Sequence, residues 1–284
     1  MQPSGNEARW LVTGARGQLG SHLLDLLGGA AIGLAHADLD ITSAAAVSDA
    51  VREARPEVVV NAAAYTAVDA AETDEAAAYD VNATAVANLA TACAAIGARL
   101  LHVSTDYVFD GTASHPYRPD DPTGPRTVYG RTKLAGEEFA LERGGHVVRT
   151  AWVYGGPSAN FVDTMLRLAT QRETVDVVAD QIGSPTYVRD LAAALIDLGR
   201  LPDPPALLHY ANAGTASWFD LAQEVFRAAG LDPDRVRPVS STEFVRPAPR
   251  PAWSVLSLDA WTEAGLPAPR DWRAAVREYV ETRG

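Results

Sequence analysis

The chain has 284 residues and a mass of 30.1 kDa, enough for one large α/β domain or for such a domain with a smaller partner. Hydrophobic residues make up 47% and charged residues 21%, ordinary for a globular protein, and no run approaches the ~18–20 apolar residues a membrane span needs. A formal charge of −12 repels a phosphate backbone, so nucleic acid is not an expected partner, and an anionic ligand must be held by local Arg, Lys and backbone N–H groups.

In chain order, the start Met1–Glu7 is polar and has neither the basic region nor the apolar core of a secretion signal. Cys93 is the single cysteine, which excludes an internal disulfide and reads as a small core hydrophobe. These absences predict a cytoplasmic protein. Arg9 to Thr13 reads as a short buried strand, followed at once by Gly14-Ala15-Arg16-Gly17-Gln18-Leu19-Gly20 and an amphipathic helix over 18–28. Strand, glycine turn and helix are the opening of a dinucleotide-binding βαβ unit. The glycines allow the tight turn and close backbone approach to a pyrophosphate, and the helix start holds the anion with free N–H groups and its positive dipole. The spacing is G-x-x-G-x-x-G rather than G-x-G-x-x-G.

Further strands are predicted at 31–35, 57–61, 99–104 and 146–150, with helices at 43–54, 75–97 and 129–143. Ser43, with Thr42 before it, is placed to cap the second helix, and Gly97 to stop the third. Alternating strands and helices predict an α/β fold of the Rossmann type, a doubly wound parallel sheet. In such a sheet ligands lie at the carboxyl ends of the strands. Thr13–Gly17, Ala62–Thr66, Ser104–Asp106 and Thr150–Trp152 all end there, so they are read as one site. Small residues at Ala62, Ala63 and Ala64 let a cofactor lie against the strand end.

Tyr129 and Lys133, four residues apart, share one helix face with Cβ atoms roughly 5–6 Å apart. A Lys ammonium beside a phenol favours the phenolate, so the pair predicts a Tyr tuned downward for general acid/base work. Beyond Trp152, Pro and Gly concentrate at 155–157, 202–205, 230–238 and 247–251, the punctuation of a smaller lobe whose loops carry specificity. Two readings stand for Arg250: a bidentate partner for a diphosphate, or a surface Arg beside Arg246. The six histidines show no metal-ligand spacing, and no catalytic metal is expected.

The glycine loop, Ser104-Thr105-Asp106 and Tyr129-x-x-x-Lys133 together resemble the extended short-chain dehydrogenase/reductase superfamily. The strings Val60–Asp69, Ser104–Gly111, Val128–Glu137, Arg149–Tyr154, Asp180–Thr186 and Arg250–Ser254 resemble the dTDP-4-dehydrorhamnose reductase family from end to end. The resemblance implies a catalytic set of Thr105, Tyr129 and Lys133, with Ser104 ending the strand. Tyr129 would protonate the sugar oxygen, Lys133 would lower the phenol and bond the cofactor ribose, and Thr105 would fix the carbonyl. Gly14, Arg16, Gly17, Gln18, Leu19, Gly20, His36, Ala62, Ala63 and Ala64 are the expected cofactor contacts. Asp40 and Ile41 match a family pair beside the adenine.

Thr105, Asp106, Tyr107, Trp152 and Arg250 are the expected substrate contacts. For Asp106 a turn residue with a local hydrogen bond is the alternative, and for Trp152 core packing. Relatives that use NAD place an acid at the end of the second strand; here Ala35 and His36 stand there, and Arg16 is free to pair a 2′-phosphate. NADPH is the expected cofactor, with NADH also open. The resemblance implies an NAD(P)-binding Rossmann domain over 1–154 to which 187–213 return, a C-terminal substrate-binding lobe of 155–186 and 214–284, and a homodimer as one open assembly. The predicted reaction takes the 4-keto group of a dTDP-4-dehydro-6-deoxy-L-hexose, dTDP-4-dehydrorhamnose first, to dTDP-L-rhamnose. The alternatives are a related 4-ketoreductase of antibiotic deoxysugars, such as a dihydrostreptose-type enzyme, and a non-catalytic NADP-binding regulatory subunit.

Overall fold

Val58, Val59 and Val60 are all buried, as befits a parallel strand covered by helices on both faces. The computed structural model describes residues 9–283, so the polar start Met1–Glu7 lies outside the described residues. The chain first lays down β1 (Trp10–Thr13), α1 (Gln18–Leu27), β2 (Ala31–Leu34), α2 (Ala44–Ala54) and β3 (Val58–Asn61). It continues through α3 (Val68–Ala71), α4 (Glu75–Tyr79), a π-helical turn at Asp80–Thr84, α5 (Ala85–Ile96), β4 (Arg99–Thr105), α6 (Val128–Glu142) and β5 (His146–Thr150). Ser43 accepts a hydrogen bond from Ala46 N as the N-cap of α2, and Gly97 ends α5 with φ of 72°.

The expected single helix over 75–97 is interrupted. At Asp80–Thr84 the hydrogen bonding widens into a π turn, and the buried Asn82 amide uses it to bond Tyr65 N, Tyr65 O and Thr132 Oγ1. Those bonds pull the loop after β3 onto α6, which an unbroken helix does not provide for. π turns of this kind recur at functional sites.

After β5 come β6 (Val153–Tyr154), α7 (Phe161–Gln171), β7 (Val175–Val178), β8 (Ile182–Gly183), β9 (Thr186–Tyr187), α8 (Val188–Arg200) and β10 (Leu207–His209). The chain ends with β11 (Ala216–Ser217), α9 (Trp218–Ala228), β12 (Val236–Val239), α10 (Asp259–Glu263) and α11 (Trp272–Glu281). The main sheet has six parallel strands in the order β10-β5-β4-β3-β1-β2, so β10 returns from beyond residue 200 to extend it. Three two-stranded pairs, β7 with β12, β8 with β11 and β6 with β9, stand apart from the main sheet.

Two apolar layers sandwich the sheet. Leu23 of α1 and Leu191 and Leu195 of α8 pack with Trp10 and Leu101 on one face, while Val47, Val51 and Leu89 pack with Leu11, Val59 and Leu100 on the other. Each such side chain, fully buried, contributes roughly 1.5–3 kcal/mol relative to exposure. The strand order reverses between β1 and β3, and the functional cleft opens at that switch point.

Candidate active site

A cleft of about 870 Å³ opens at the carboxyl ends of β1, β3, β4 and β5, lined by Gly17–Leu19, Ala62–Ala64, Val103–Tyr107, Tyr129, Lys133 and Thr150–Val153. The four strand-end segments of the sequence reading therefore meet. Gly14 turns with φ of +68°, and a Cβ there would stand 2.8 Å from the Ala62 carbonyl and Ala63 N, so only glycine lets the first loop close against the third strand. Gly17 caps α1 with no side-chain hydrogen bond and no acid in the first turn among the described residues. An uncapped, acid-free helix start facing a wall of three alanines fits a dinucleotide pyrophosphate.

The helix carrying the phenol and the ammonium is held at its start by two acceptors. Thr127 Oγ1 accepts from Gly130 N at 2.9 Å, and Glu72 Oε1 accepts from Val128 N at 2.9 Å. Gly130 lets α6 close on the one-turn helix Asp106–Val108; a Cβ there would lie 2.2 Å from Tyr107 O. Tyr129 then meets Tyr107 edge-on, ring centroids 5.5 Å apart.

Burial pushes the Tyr129 phenol up to about 12, with the nearby Thr105 hydroxyl opposing and Asp106 adding to the rise. The expected downward tuning by Lys133 is thus not what this arrangement produces. Lys133 Nζ instead donates to Val103 O at 2.6 Å and lies 3.3 Å from His102 Nε2. Burial lowers Lys133 to about 8, with Glu137 one turn on opposing. The phenol is held as a proton donor across the neutral range, and the lysine, not the tyrosine, is brought toward neutrality.

Thr105 Oγ1 donates to Asp106 Oδ1 at 2.9 Å and accepts from Tyr107 N at 3.2 Å. Asp106 Oδ2 is buried without a partner among the described residues, as are Ser104 Oγ and Ser254 Oγ. Burial raises the Asp106 carboxyl to about 6; Ser254 and Thr105 work against this from close by, although neither Ser254 Oγ nor Asp106 Oδ2 completes a hydrogen bond. A partnerless buried carboxylate oxygen on the cleft wall suits a ligand hydroxyl better than a turn.

Trp152 takes a positive φ of 47° and stacks on Trp218, centroids 3.6 Å apart and planes 6° from parallel; Phe161 tilts against Trp218 at 4.7 Å. One face of Trp152 is therefore packed, and the residue also lines the cleft. Arg250 lines the cleft and is paired with Asp69, with Arg246 beside it on the same carboxylate. Gly14, Arg16, Gly20, His36, Asp40 and Ile41 do not line the cleft. Arg16, His36 and Asp40 are exposed, and Asp40 is occupied by Thr42 through its N–H at 3.0 Å and hydroxyl at 2.6 Å.

The end of the second strand differs from expectation. Asp38 folds back, its Oδ2 accepting from Ala35 N at 2.9 Å, so a carboxylate does stand there, while the Ala35 side chain is buried. Asp69, Trp218, His102 and Asn61 were not legible as site residues, because each meets its partner only through long-range contact. One signal was available: of the 24 basic residues 23 are Arg, and Lys133 is the only lysine in the chain. A guanidinium cannot release its proton, and an amine can.

Cys93 is buried and its thiol pushed up to about 12, the state of an inert core residue. Among the described residues no helix is long and apolar enough to cross a membrane, and no group of three His, Cys, Asp or Glu side chains could hold a metal ion.

The family model of the RmlD substrate binding domain matches residues 8–283. A dTDP-4-dehydrorhamnose reductase of Streptomyces griseus is 52% identical over 280 residues, covering 95% of this chain and 92% of the relative. A protein of Streptomyces antibioticus named a probable dTDP-4,6-dihydroxy-2-methyloxan-3-one 4-ketoreductase is 51% identical over 283 residues, covering 95% and 94%. The solved structure of a dTDP-4-dehydrorhamnose reductase from Bacillus anthracis, in complex with NADP, superposes with a TM-score of 0.93 at 37% identity, covering 98% of this chain and all of that one.

Proposed function

The chain belongs to the dTDP-4-dehydrorhamnose reductase family, and on that footing we propose that it is an NAD(P)-dependent oxidoreductase that reduces the 4-keto group of a dTDP-4-dehydro-6-deoxy-L-hexose. Its first substrate is dTDP-4-dehydrorhamnose and its product dTDP-L-rhamnose. NADPH is the preferred cofactor and NADH is also accepted. The observation that carries this reading is the buried phenol of Tyr129, kept protonated beside Thr105 in a cleft floored by a helix start free of acids.

The dinucleotide, when bound, supplies the hydride. Gly17, Gln18 and Leu19 hold its pyrophosphate, the Ala62–Ala64 wall lies along it, and Lys133 reaches its ribose. Thr105, whose hydroxyl donates to Asp106 Oδ1 in the free site, turns that proton to the sugar carbonyl, and Tyr129 gives its proton to that oxygen as charge develops, so no free alkoxide forms. Asp106, with its spare oxygen, accepts from a sugar hydroxyl, and Tyr107 and the edge of Trp152 bound the ring. Arg250 takes the diphosphate. Residues 155–186 and 214–284 form the lobe that covers the sugar, while 1–154 with 187–213 form the nucleotide domain. A homodimer is the proposed assembly, read by sedimentation.

A second reading, a 4-ketoreductase of another deoxysugar, draws on the 51% identity to the Streptomyces antibioticus protein. The two part on a panel of dTDP-4-keto-6-deoxysugars offered with NADPH and with NADH, following loss of absorbance and assigning the product by NMR. Highest kcat/KM on dTDP-4-dehydrorhamnose sustains the first reading; turnover only of another keto sugar replaces it with the second. No turnover of any of them leaves the non-catalytic subunit.

A further inference from the structure

Behind Lys133 a polar string runs through the sheet where apolar packing is the rule. Thr13 Oγ1 on β1 donates to Asn61 Oδ1 on β3 at 2.7 Å, Asn61 Nδ2 lies 3.1 Å from His102 Nδ1 on β4, and His102 Nε2 lies 3.3 Å from Lys133 Nζ. Thr13, Asn61, His102 and Lys133 are all buried. Buried polar groups persist where their donors and acceptors match along the whole string.

The matching has a direction. Ala63 N–H donates to the same Asn61 Oδ1 at 3.2 Å, and a backbone N–H has no other role, so that atom is the amide oxygen and the atom facing His102 is the NH₂. An NH₂ only donates, which makes His102 Nδ1 the acceptor. A neutral imidazole then carries its proton on Nε2, pointing at Lys133 Nζ. An ammonium has no lone pair to receive it; an amine has one.

We propose that Asn61 and His102 are positioning residues that set the protonation state of Lys133: Asn61 fixes the imidazole proton on Nε2, and His102 donates it to Lys133 as an unprotonated amine. Burial holds His102 well below the ordinary histidine range, so the ring is neutral. The groups facing Lys133 are few. Glu137 on α6 favours the ammonium, but it is locked in a buried pair with Arg149 of β5 at 2.7 Å. Tyr129 lies one turn back and is itself protonated, with Asp106 beyond it. From β4 come His102 and the Val103 carbonyl, which accepts from Nζ in either protonation state.

The consequence rests on the reading of Tyr129 as the proton donor. Each turnover removes one proton from that phenol, and a lysine titrating near neutrality one helical turn away is a group able to give one up. At the ordinary lysine value of about 10.4 it would keep its proton.

The chain's one lysine makes the test direct, since protein grown with ¹⁵N,¹³C-lysine gives a single side-chain NMR signal. In wild-type protein stripped of nucleotide, that signal is expected to titrate near pH 8, and ¹⁵N-histidine spectra are expected to place the His102 proton on Nε2. A lysine still charged at pH 10, or a proton on Nδ1, overturns the proposal; neither measurement needs substrate, so each stands apart from the sugar assignment. Asn61→Asp accepts from the ring instead of donating, moves the proton to Nδ1 and should raise the lysine midpoint by at least about one pH unit. His102→Gln, which can repeat the order of acceptor and donor, should keep the midpoint low. An Asn61→Asp midpoint equal to wild type would mean that burial alone tunes Lys133. Should that variant not fold, the wild-type titration and tautomer decide.

Discussion

Arg250 grips Asp69 with two N–H···O bonds of 2.9 Å, one to each carboxylate oxygen, across 181 residues of chain. Arg246 approaches the same carboxylate at 3.5 Å, and the Arg250 hydrogen bond, more than the charge of either guanidinium, holds Asp69 below its ordinary value. Two guanidiniums on one carboxylate leave a net positive charge beside the cleft of a chain of net charge −12. That end-on fork is filled by Asp69 and Ala248 O, so on the proposed reading a diphosphate would meet the remaining Nε and Nη2 N–H groups.

Arg250→Ala should therefore act on substrate binding. A lost charge-assisted pair is worth about 1.5–3 kcal/mol, or roughly ten- to a hundredfold in KM, with kcat changed only a few-fold. Arg250→Lys should recover little, because an ammonium cannot bond two oxygens in a plane. A KM that stays at the wild-type value in steady-state assays would remove Arg250 from the diphosphate site.

Tyr129→Phe deletes one oxygen from a side chain otherwise packed against Tyr107. The expected loss is at least about 10²-fold in kcat, with the dissociation constant for nucleotide almost unchanged. Because the phenol is held near 12, its donor form is present at all lower pH, so its own ionisation should not shape the rate between pH 6 and 9. Turnover within a few-fold of wild type would end its role as the acid.

Asp106 makes a prediction about stability. Its carboxyl is raised from 3.8 to about 6 by burial, so the folded state binds the proton more tightly than the unfolded one. The stability from that proton is complete below about pH 4 and is lost as pH rises through 6, a difference of about 3 kcal/mol. Asp106→Asn keeps the acceptor for Thr105 and removes the titration. Its urea-unfolding free energy relative to wild type should rise between pH 4 and pH 7, while kcat/KM falls; a difference that stays flat across that range would show the carboxyl is not strained by burial.

How far the sequence alone could be read depends on the range of the interaction. β1 to β5 lie within a residue or two of expectation because buried parallel strands are short apolar runs, and Tyr129 and Lys133 were found because four residues make one helical turn. The π turn at Asp80–Thr84 was missed because its cause, the Asn82 amide bonded to Tyr65 and Thr132, lies outside the helix. The parallel pairing of β7 with β12 joins Val175–Val178 to Val236–Val239, two four-residue segments with no local mark of partnership. The Trp152–Trp218 stack and the Asp69–Arg250 pair are hidden for the same reason. The downward tuning expected of Tyr129 failed on burial: four-residue spacing places the lysine near, but its Nζ donates to Val103 O and lies against His102.

The choice between the two nicotinamide cofactors should be read at Arg16 and His36 rather than at Ala35. Ala35 is buried, so an acid placed there would be buried without a partner rather than offered to a ribose. Asp38 already reaches the strand end but spends one oxygen on Ala35 N. The exposed neighbours are Arg16 and His36, and these are the groups able to meet a 2′-phosphate. Wild type should show the higher kcat/KM with NADPH. Arg16→Ala should narrow that advantage by about 1–3 kcal/mol, roughly five- to a hundredfold, by removing the cation that pairs the phosphate. His36→Asp, at an exposed position where the carboxylate stays solvated, should repel the 2′-phosphate and move preference toward NADH. Steady-state assays with each cofactor at saturating sugar read both effects. Equal efficiency with the two cofactors in wild type, or no response to either substitution, would mean that this strand end does not read the ribose.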